Sequence, residues 1–377
     1  MWTLFSLGMA ALVIYRVILP LKSGKGVKIA LSALTILVAL KFQILRLFGG
    51  PHFFAPALPR SVLLGTAAIY AVLFLFFLYL LALTIVLLIP EFFLRRKNHR
   101  RLPDKYLKIR NALHLLILIF ASVAALVGVW RGTLPPQVKE IAIHSRLYPA
   151  ECPPMRIAVL TDLHIDAATP ETLLPEIVRR TNALNPDVIV LLGDLADGKV
   201  DELGDKLRPL GRLRAAWGVY AVTGNHEYFY NWPEWQSFLE ELGITVLENA
   251  RTQMPNGVWL AGVPDPETER FGFPAPSLDF TVGSLPQGDC IVLLNHRPKT
   301  ARRAAALGAA LQLSGHTHGG MVFGLDILVA LLNGGFVSGS YQVGDMTLYV
   351  SNGTTIWKGF PIRFGCDSEI SCIDFQP

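Results

Sequence analysis

The sequence predicts an α/β domain preceded by a helical membrane module. Three observations predict it. The front third is apolar and basic, the remainder mixed and acidic. Five short apolar runs in the remainder each end in a cluster of Asp, Asn or His, and helical patterns fill the intervals between them. Residues 1–131 hold 16 of the 34 Lys and Arg but only 2 of the 29 Asp and Glu; residues 132–377 hold 18 and 27. Hydrophobic residues make up 52% of the chain, a share above that of ordinary soluble proteins. The basic charge lies beside apolar stretches, and no basic patch with interleaved aromatics follows residue 131. Nucleic acid is therefore not an expected partner.

The front module, residues 1–131, contains four apolar stretches: 2–21, 27–48, 61–89 and 112–130. The third has no charge at all and the fourth ends in Trp130; a hydrocarbon core needs about 20 such residues. Arg16, Lys41 and Arg46 interrupt the first two, where snorkelling near the ends of tilted helices would accommodate them. The segment 91–111 carries Arg95, Arg96, Lys97, Arg100, Arg101, Lys105, Lys108 and Arg110 against Glu91 and Asp104. By the positive-inside rule this loop stays cytoplasmic, with Lys22, Lys25 and Lys28 on the same side. The expectation is a multi-pass protein of the cell inner membrane, with everything after Arg131 on the outer side and the lipid bilayer as a partner. Residues 132–154, with Pro135, Pro136, Pro149, Pro153 and Pro154, read as a linker into a domain spanning 155–377.

In that domain Arg156 to Leu160, Asp187 to Leu192, Gly218 to Val222, Cys290 to Leu294 and Leu311 to Leu313 are apolar runs suited to strands buried on both faces. Helical patterns lie at 170–184, 202–216, 233–242 and 298–307. The Gly-rich tail from Gly335 to Phe375 reads as antiparallel strands of a second sheet. In α/β folds, sites form at the carboxyl ends of strands. Here those ends carry Asp162-Leu163-His164, Gly193-Asp194-Leu195-Ala196-Asp197, Gly224-Asn225-His226-Glu227, Asn295-His296 and Gly315-His316-Thr317-His318. Imidazole and carboxylate together suit Mn, Fe, Zn or Co. Asp194 has two oxygens with which to bridge two ions, and Asn225 adds a neutral donor. A pair of ions about 3.5–4 Å apart activates water and clamps the oxygens of an in-line displacement.

These five blocks, in this order, resemble the calcineurin-like metallophosphoesterase family, in particular its membrane-associated bacterial phosphodiesterase branch. The resemblance covers about 155–375 and implies a four-layer α/β/β/α sandwich with two divalent metal ions at one edge. It implies Asp162, His164, Asp194 and His318 around the first ion and Asp194, Asn225, His296 and His316 around the second. It implies a metal-bridging hydroxide as nucleophile, His226 protonating the departing oxygen as general acid, and Asp197 orienting His226. Gly315, Gly319 and Gly320 would let the backbone approach the ions. The protein Ser/Thr phosphatase branch has Arg directly after the second Asp of its Gly-Asp block; this chain has Gly198, which argues against phosphoprotein substrates. The implied reaction is hydrolysis of phosphate esters, with phospholipids and lipid-linked nucleotides as candidate substrates. A different class also fits the sequence, a transport or sensing module carrying a regulatory metallophosphoesterase-like domain.

Four further readings complete the expectation. Glu227 is a helix-start carboxylate. Arg297 is a solvated helix-start charge or a phosphate contact. Cys366 and Cys372 sit either in a hairpin disulfide or as reduced residues of adjacent strands, and Cys290 is a core thiol. The apolar stretch Met321 to Phe336 is either a core helix between the sheets or an apolar rim that accepts lipid chains.

Overall fold

The computed structural model describes residues 2–49, 58–98 and 101–377. Arg100 of the basic loop falls outside them. Two compact units emerge, Met1–Trp130 with Phe360–Ile362, and Arg131–Gly359 with Arg363–Pro377.

The first unit is helical: α1 (Trp2–Val13), α2 (Lys25–Ala39), α3 (Lys41–Gly49), α4 (Arg60–Lys97) and α5 (Asp104–Gly132). Among the described residues, α4 and α5 are long and apolar enough to cross a membrane. The stretches expected at 2–21 and 27–48 are not simple spans. α1 gives way to a π-turn at Ile14–Ile18, and α2 meets α3 at a 59° bend. Arg46 is exposed, but Arg16 and Lys41 are buried and do not snorkel. Lys41, at the bend, is buried with its ammonium 4.8 Å from the Phe42 ring centre and 5.6 Å from that of Tyr70. Arg16 turns inward to pair with Glu91.

The second unit alternates strand and helix. In chain order it comprises β1 (Gln137–His144), β2 (Met155–Leu160), α6 (Leu173–Asn182), β3 (Val188–Leu191), α7 (Val200–Leu207), β4 (Val219–Ala221), α8 (Asn225–Phe229), α9 (Trp232–Glu241), β5 (Thr245–Val246), β6 (Ala250–Gln253) and β7 (Trp259–Gly262). It continues through α10 (Thr268–Phe271), α11 (Leu278–Thr281), β8 (Ile291–Leu294), α12 (Ala301–Ala306), β9 (Leu311–Ser314), α13 (Asp326–Leu332), β10 (Gly339–Val343), β11 (Met346–Val350) and β12 (Glu369–Gln376). One sheet runs β1-β12-β2-β3-β4-β5, the other β10-β11-β9-β8-β7-β6.

Alternation along each strand separates three cores. On β2, Ile157 and Val159 enter a core shared with Val292, Leu294 and Leu313 of the second sheet, while Ala158 and Leu160 face helical residues such as Ile177 and Leu207. Leu293 and Leu348 face the other way, against Ala301 and Ala304 of α12. Two sheets with helices outside both are the four layers expected.

Two expectations need correction. Residues 137–144 of the expected linker form β1, which pairs in parallel with β12. The tail does not stay in the second sheet: β10 and β11 do, but β12 crosses over and inserts between β1 and β2. All four cysteines are free, so Cys366 and Cys372 are not bridged. Cys290 is buried, and burial pushes its thiol up to about 12.

Candidate metal centre

Each expected cluster follows its strand directly: β2 leads to Asp162 and His164, β3 to Asp194 and Asp197, β4 to Asn225 and His226, β8 to His296, and β9 to His316 and His318. The turns that aim these side chains are unusual. Asp162 (φ 54°), His164 (41°), Asp194 (53°), His316 (69°) and His318 (49°) all adopt the left-handed backbone region, which disfavours side-chain-bearing residues. Such strain survives only where the surroundings over-determine it, and it concentrates at functional sites. Glycine is required beside them. A Cβ on Gly315 would overlap the side chains of Thr161 and Asp162, and one on Gly224 would overlap Asp194. Gly319 and Gly320 instead make room for Asn352 and Asp326.

All seven expected metal donors lie in these turns, and six of them converge into two groups. In the first, His318 Nε2 lies 3.5 Å from Asp162 Oδ1 and 3.1 Å from His164 Nε2, which is 3.7 Å from Asp194 Oδ2. In the second, His296 Nε2 lies 3.3 Å from that same Asp194 oxygen and 3.2 Å from His316 Nδ1. One carboxylate oxygen therefore borders both groups. The other, Asp194 Oδ1, accepts the His226 amide at 2.8 Å.

The remaining hydrogen bonds free the donor atoms. Asp162 Oδ2 accepts from Thr161 Oγ1 (2.7 Å) and from the His316 amide (3.1 Å), leaving Oδ1 for the centre. His296 Nδ1 meets the Leu192 carbonyl at 2.6 Å, which orients Nε2 inward. Asp162 Oδ1 and Asn225 Oδ1 are buried without a partner. Buried acceptors are almost always satisfied, so orphaned oxygens among imidazoles mark where cations belong. The donor set fits two divalent ions of the Mn, Fe, Zn or Co kind.

His226 stands slightly apart. Its Nδ1 is 2.5 Å from Asp197 Oδ1, and its Nε2 is 3.9 Å from Asp194 Oδ2. The same Asp197 oxygen lies 3.2 Å from His164 Nδ1. Burial opposes the imidazolium of His226, but the Asp194 and Asp197 carboxylates outweigh it and hold its pKa at about 10. Burial likewise opposes ionisation of Asp197, yet His164 and His226 hold it well below the usual carboxylate range. Asp194 overcomes burial at His296 and lifts it to about 10. His316 and His318 move down, through burial and then through the cationic neighbours His296 and His164 respectively.

Three supporting residues carry more than their sequence positions disclose. Glu227 is buried and accepts the amides of Gly224 (2.7 Å), Asp194 (2.9 Å) and Leu195 (2.6 Å), clamping two of the site turns together. Arg363 is fully buried and donates to the His318 carbonyl at 2.9 Å. Arg297 is not a free helix-start charge: its half-buried side chain is paired with Asp265, fully buried, which accepts from it at 2.6 and 2.9 Å. The adjacency of Glu227 to the Asn-His pair was the available signal; for Arg363 and Asp265 there was none.

Residues 155–320 match the family model described as calcineurin-like phosphoesterase. The chain is 35% identical over 272 residues to a transmembrane protein with metallophosphoesterase domain from Danio rerio, covering 69% of this chain and 62% of that protein. It is 32% identical over 252 residues to an uncharacterized metallophosphoesterase of Helicobacter pylori, covering 66% of each. It is 30% identical over 270 residues to one of Campylobacter jejuni, covering 71% of each. The chain thus spans less than two thirds of the length of the first relatives it matches. With the donor blocks falling inside the matched region and 30% identity over 71% of a bacterial metallophosphoesterase, the chain belongs to the calcineurin-like phosphoesterase family.

Proposed function

We propose that this chain is a membrane-anchored dimetal phosphohydrolase, a phosphodiesterase acting on lipid-linked phosphate esters at the outer face of the inner membrane. The observation that carries the reading is the single Asp194 oxygen bordering two groups of imidazole and carboxylate donors. Asp162, His164, Asp194 and His318 hold one cation, and Asp194, Asn225, His296 and His316 hold the other. The bound ions lower the pKa of a water nucleophile and neutralise charge on the phosphoryl group.

The protein's own groups do the rest. His226 keeps its proton through the Asp197 hydrogen bond on one ring nitrogen, and its other nitrogen points toward the Asp194 oxygen between the two groups. The His226 side chain is 12% exposed, so a substrate oxygen can reach it, and His226 gives its proton to the leaving alkoxide. Trp357, 6.1 Å from His226 and 6.4 Å from His164 between ring centres, walls the approach with an aromatic face.

Two features support a diester. Arg297 is committed to Asp265 rather than held ready for a second phosphate charge. At Gly198 a Cβ would press against the Leu203 side chain, so the Arg of the phosphoprotein branch would require Leu203 to shift. The lipid reading is supported by α13: Val322 and Phe336 near the ends of 321–336 are buried, but the helix between them is not a core helix. α13 buries no residue, and Phe323, Ile327 and Leu331 are 71%, 67% and 73% exposed, starting just after His318. An exposed apolar patch of this kind marks an interaction surface.

The test is a phosphate-ester panel on detergent-purified protein loaded in turn with Mn, Fe, Zn or Mg. It should include phospholipids, nucleotide-linked lipids and small chromogenic mono- and diesters. Preferred turnover of lipid-linked diesters is expected. Preferred turnover of a small monoester would overturn the substrate class, and no turnover with any ion would overturn the enzyme.

A further inference from the structure

A second buried charge cluster lies wholly within the helical unit. Glu91 of α4 accepts from Arg16 Nη1 and Nη2, both at 3.0 Å, from the Tyr106 hydroxyl at 3.2 Å, and from Arg110 Nη1 at 3.4 Å. Arg16, Glu91, Arg110 and His114 are all more than nine-tenths buried. Two guanidinium groups therefore share one carboxylate, and one positive charge is left over. Arg16 Nε, Arg110 Nε and His114 Nε2 have no hydrogen-bond partner. A buried ion without a counter-ion is costly, more so between apolar helices. Arg16 sits in the π-turn Ile14–Ile18 that follows α1. Such turns recur at functional sites.

His114 follows Arg110 by four residues on α5, on the same face. It also lines a groove of ≈ 770 Å³ formed by residues of α1 and the turn after it, α2, α4 and α5. Small-molecule sites span about 300–1,000 Å³. Apart from Thr35, Asn111 and His114, the walls are apolar, including Val13, Leu34, Ile69, Phe76 and Leu118. The groove thus joins apolar walls to the unpartnered His114 Nε2, one turn along α5 from Arg110.

We propose that this groove holds an acyl chain of an anionic phospholipid, whose phosphate is bound by Arg110 and His114 beside Arg16. A zwitterionic lipid brings its own cation and leaves the surplus uncompensated, whereas an anionic one neutralises it. This site is independent of the phosphoesterase reading, since all its residues belong to the helices.

The experiment uses the full chain in mild detergent, with bound phospholipid quantified by native mass spectrometry and by extraction. About one anionic phospholipid per chain is expected to survive delipidation. Arg110→Gln leaves Glu91 its two bonds from Arg16, and should lower occupancy at least tenfold. Leu118→Trp fills the groove while sparing the charges, and should lower it similarly. Equal retention of phosphatidylcholine, or wild-type occupancy in both variants, would overturn the proposal. If only Arg110→Gln lost its ligand, a small anion would be the occupant and the lipid assignment would fall. Should a variant fail to fold, delipidated wild type still decides: phosphatidylglycerol should raise its melting temperature and phosphatidylcholine should not. An equal rise with both lipids would also sink the idea.

Discussion

The helical unit and the α/β unit each bury a charged cluster, and the two are unbalanced in opposite directions. At the metal centre of the α/β unit the unmatched atoms are mostly acceptors, Asp162 Oδ1, Asn225 Oδ1 and Asp197 Oδ2, with Arg363 Nε beside His318 as the exception. In the Glu91 cluster of the helical unit they are two guanidinium Nε donors and an imidazole nitrogen. Buried polar atoms are seldom left unsatisfied, so the sign of the deficit states the sign of what is missing. One cluster calls for cations and the other for an anion. A balanced pair such as Arg297 with the buried Asp265 calls for nothing and reads as structure.

Four changes would break or sharpen this contrast. The largest is Asp194→Asn, which weakens the one oxygen common to both donor groups. Activity should fall by more than about 10⁴, beyond the loss from removing a general acid. Elemental analysis should show less bound metal; unchanged metal content would remove Asp194 from the ligand set. Next comes His226→Ala, expected to cut the rate by about 10²–10⁴ with metal content held. A variant with full rate would reassign the acid.

Third, Glu91→Gln strips the two guanidiniums of the carboxylate they share. Breaking a buried pair in this way costs about 3–5 kcal/mol, to be read from thermal or denaturant unfolding in detergent. A change within error would mean that the cluster is already compensated. The smallest effect belongs to Leu328→Ser with Leu332→Ser on exposed α13. Stability should stay within about 0.5 kcal/mol, as for most surface substitutions. Turnover of a lipid ester relative to a small diester should fall several-fold; an equal loss on both would remove the lipid-rim reading.

The site was legible in the sequence because each donor cluster directly follows an apolar run, and a strand followed by ligands is a local pattern. The elements that were missed are long-range or lack such a pattern. β1 is an edge strand with exposed Gln137, Lys139 and Glu140, so its alternation points to no core and its proline-flanked segment reads as a tether. The place of β12 depends on partners more than 200 residues earlier, such as Ile157 opposite Ile373. The apolar stretch after His318 was ambiguous for a different reason. Hydrophobicity reports a preference for leaving water, and a protein core and a lipid chain satisfy it equally.

The left-handed turns at five of the expected donors have a consequence for how ions come and go. The geometry is imposed by two hydrogen-bonded sheets and three apolar cores, which pack without any ion's help. Loading is thus a late event on a finished scaffold, unlike a zinc finger, whose chain folds around its metal. A chelator should empty the protein without melting it, and the ion then carried will follow the supply in the surroundings as much as the preference of the cage.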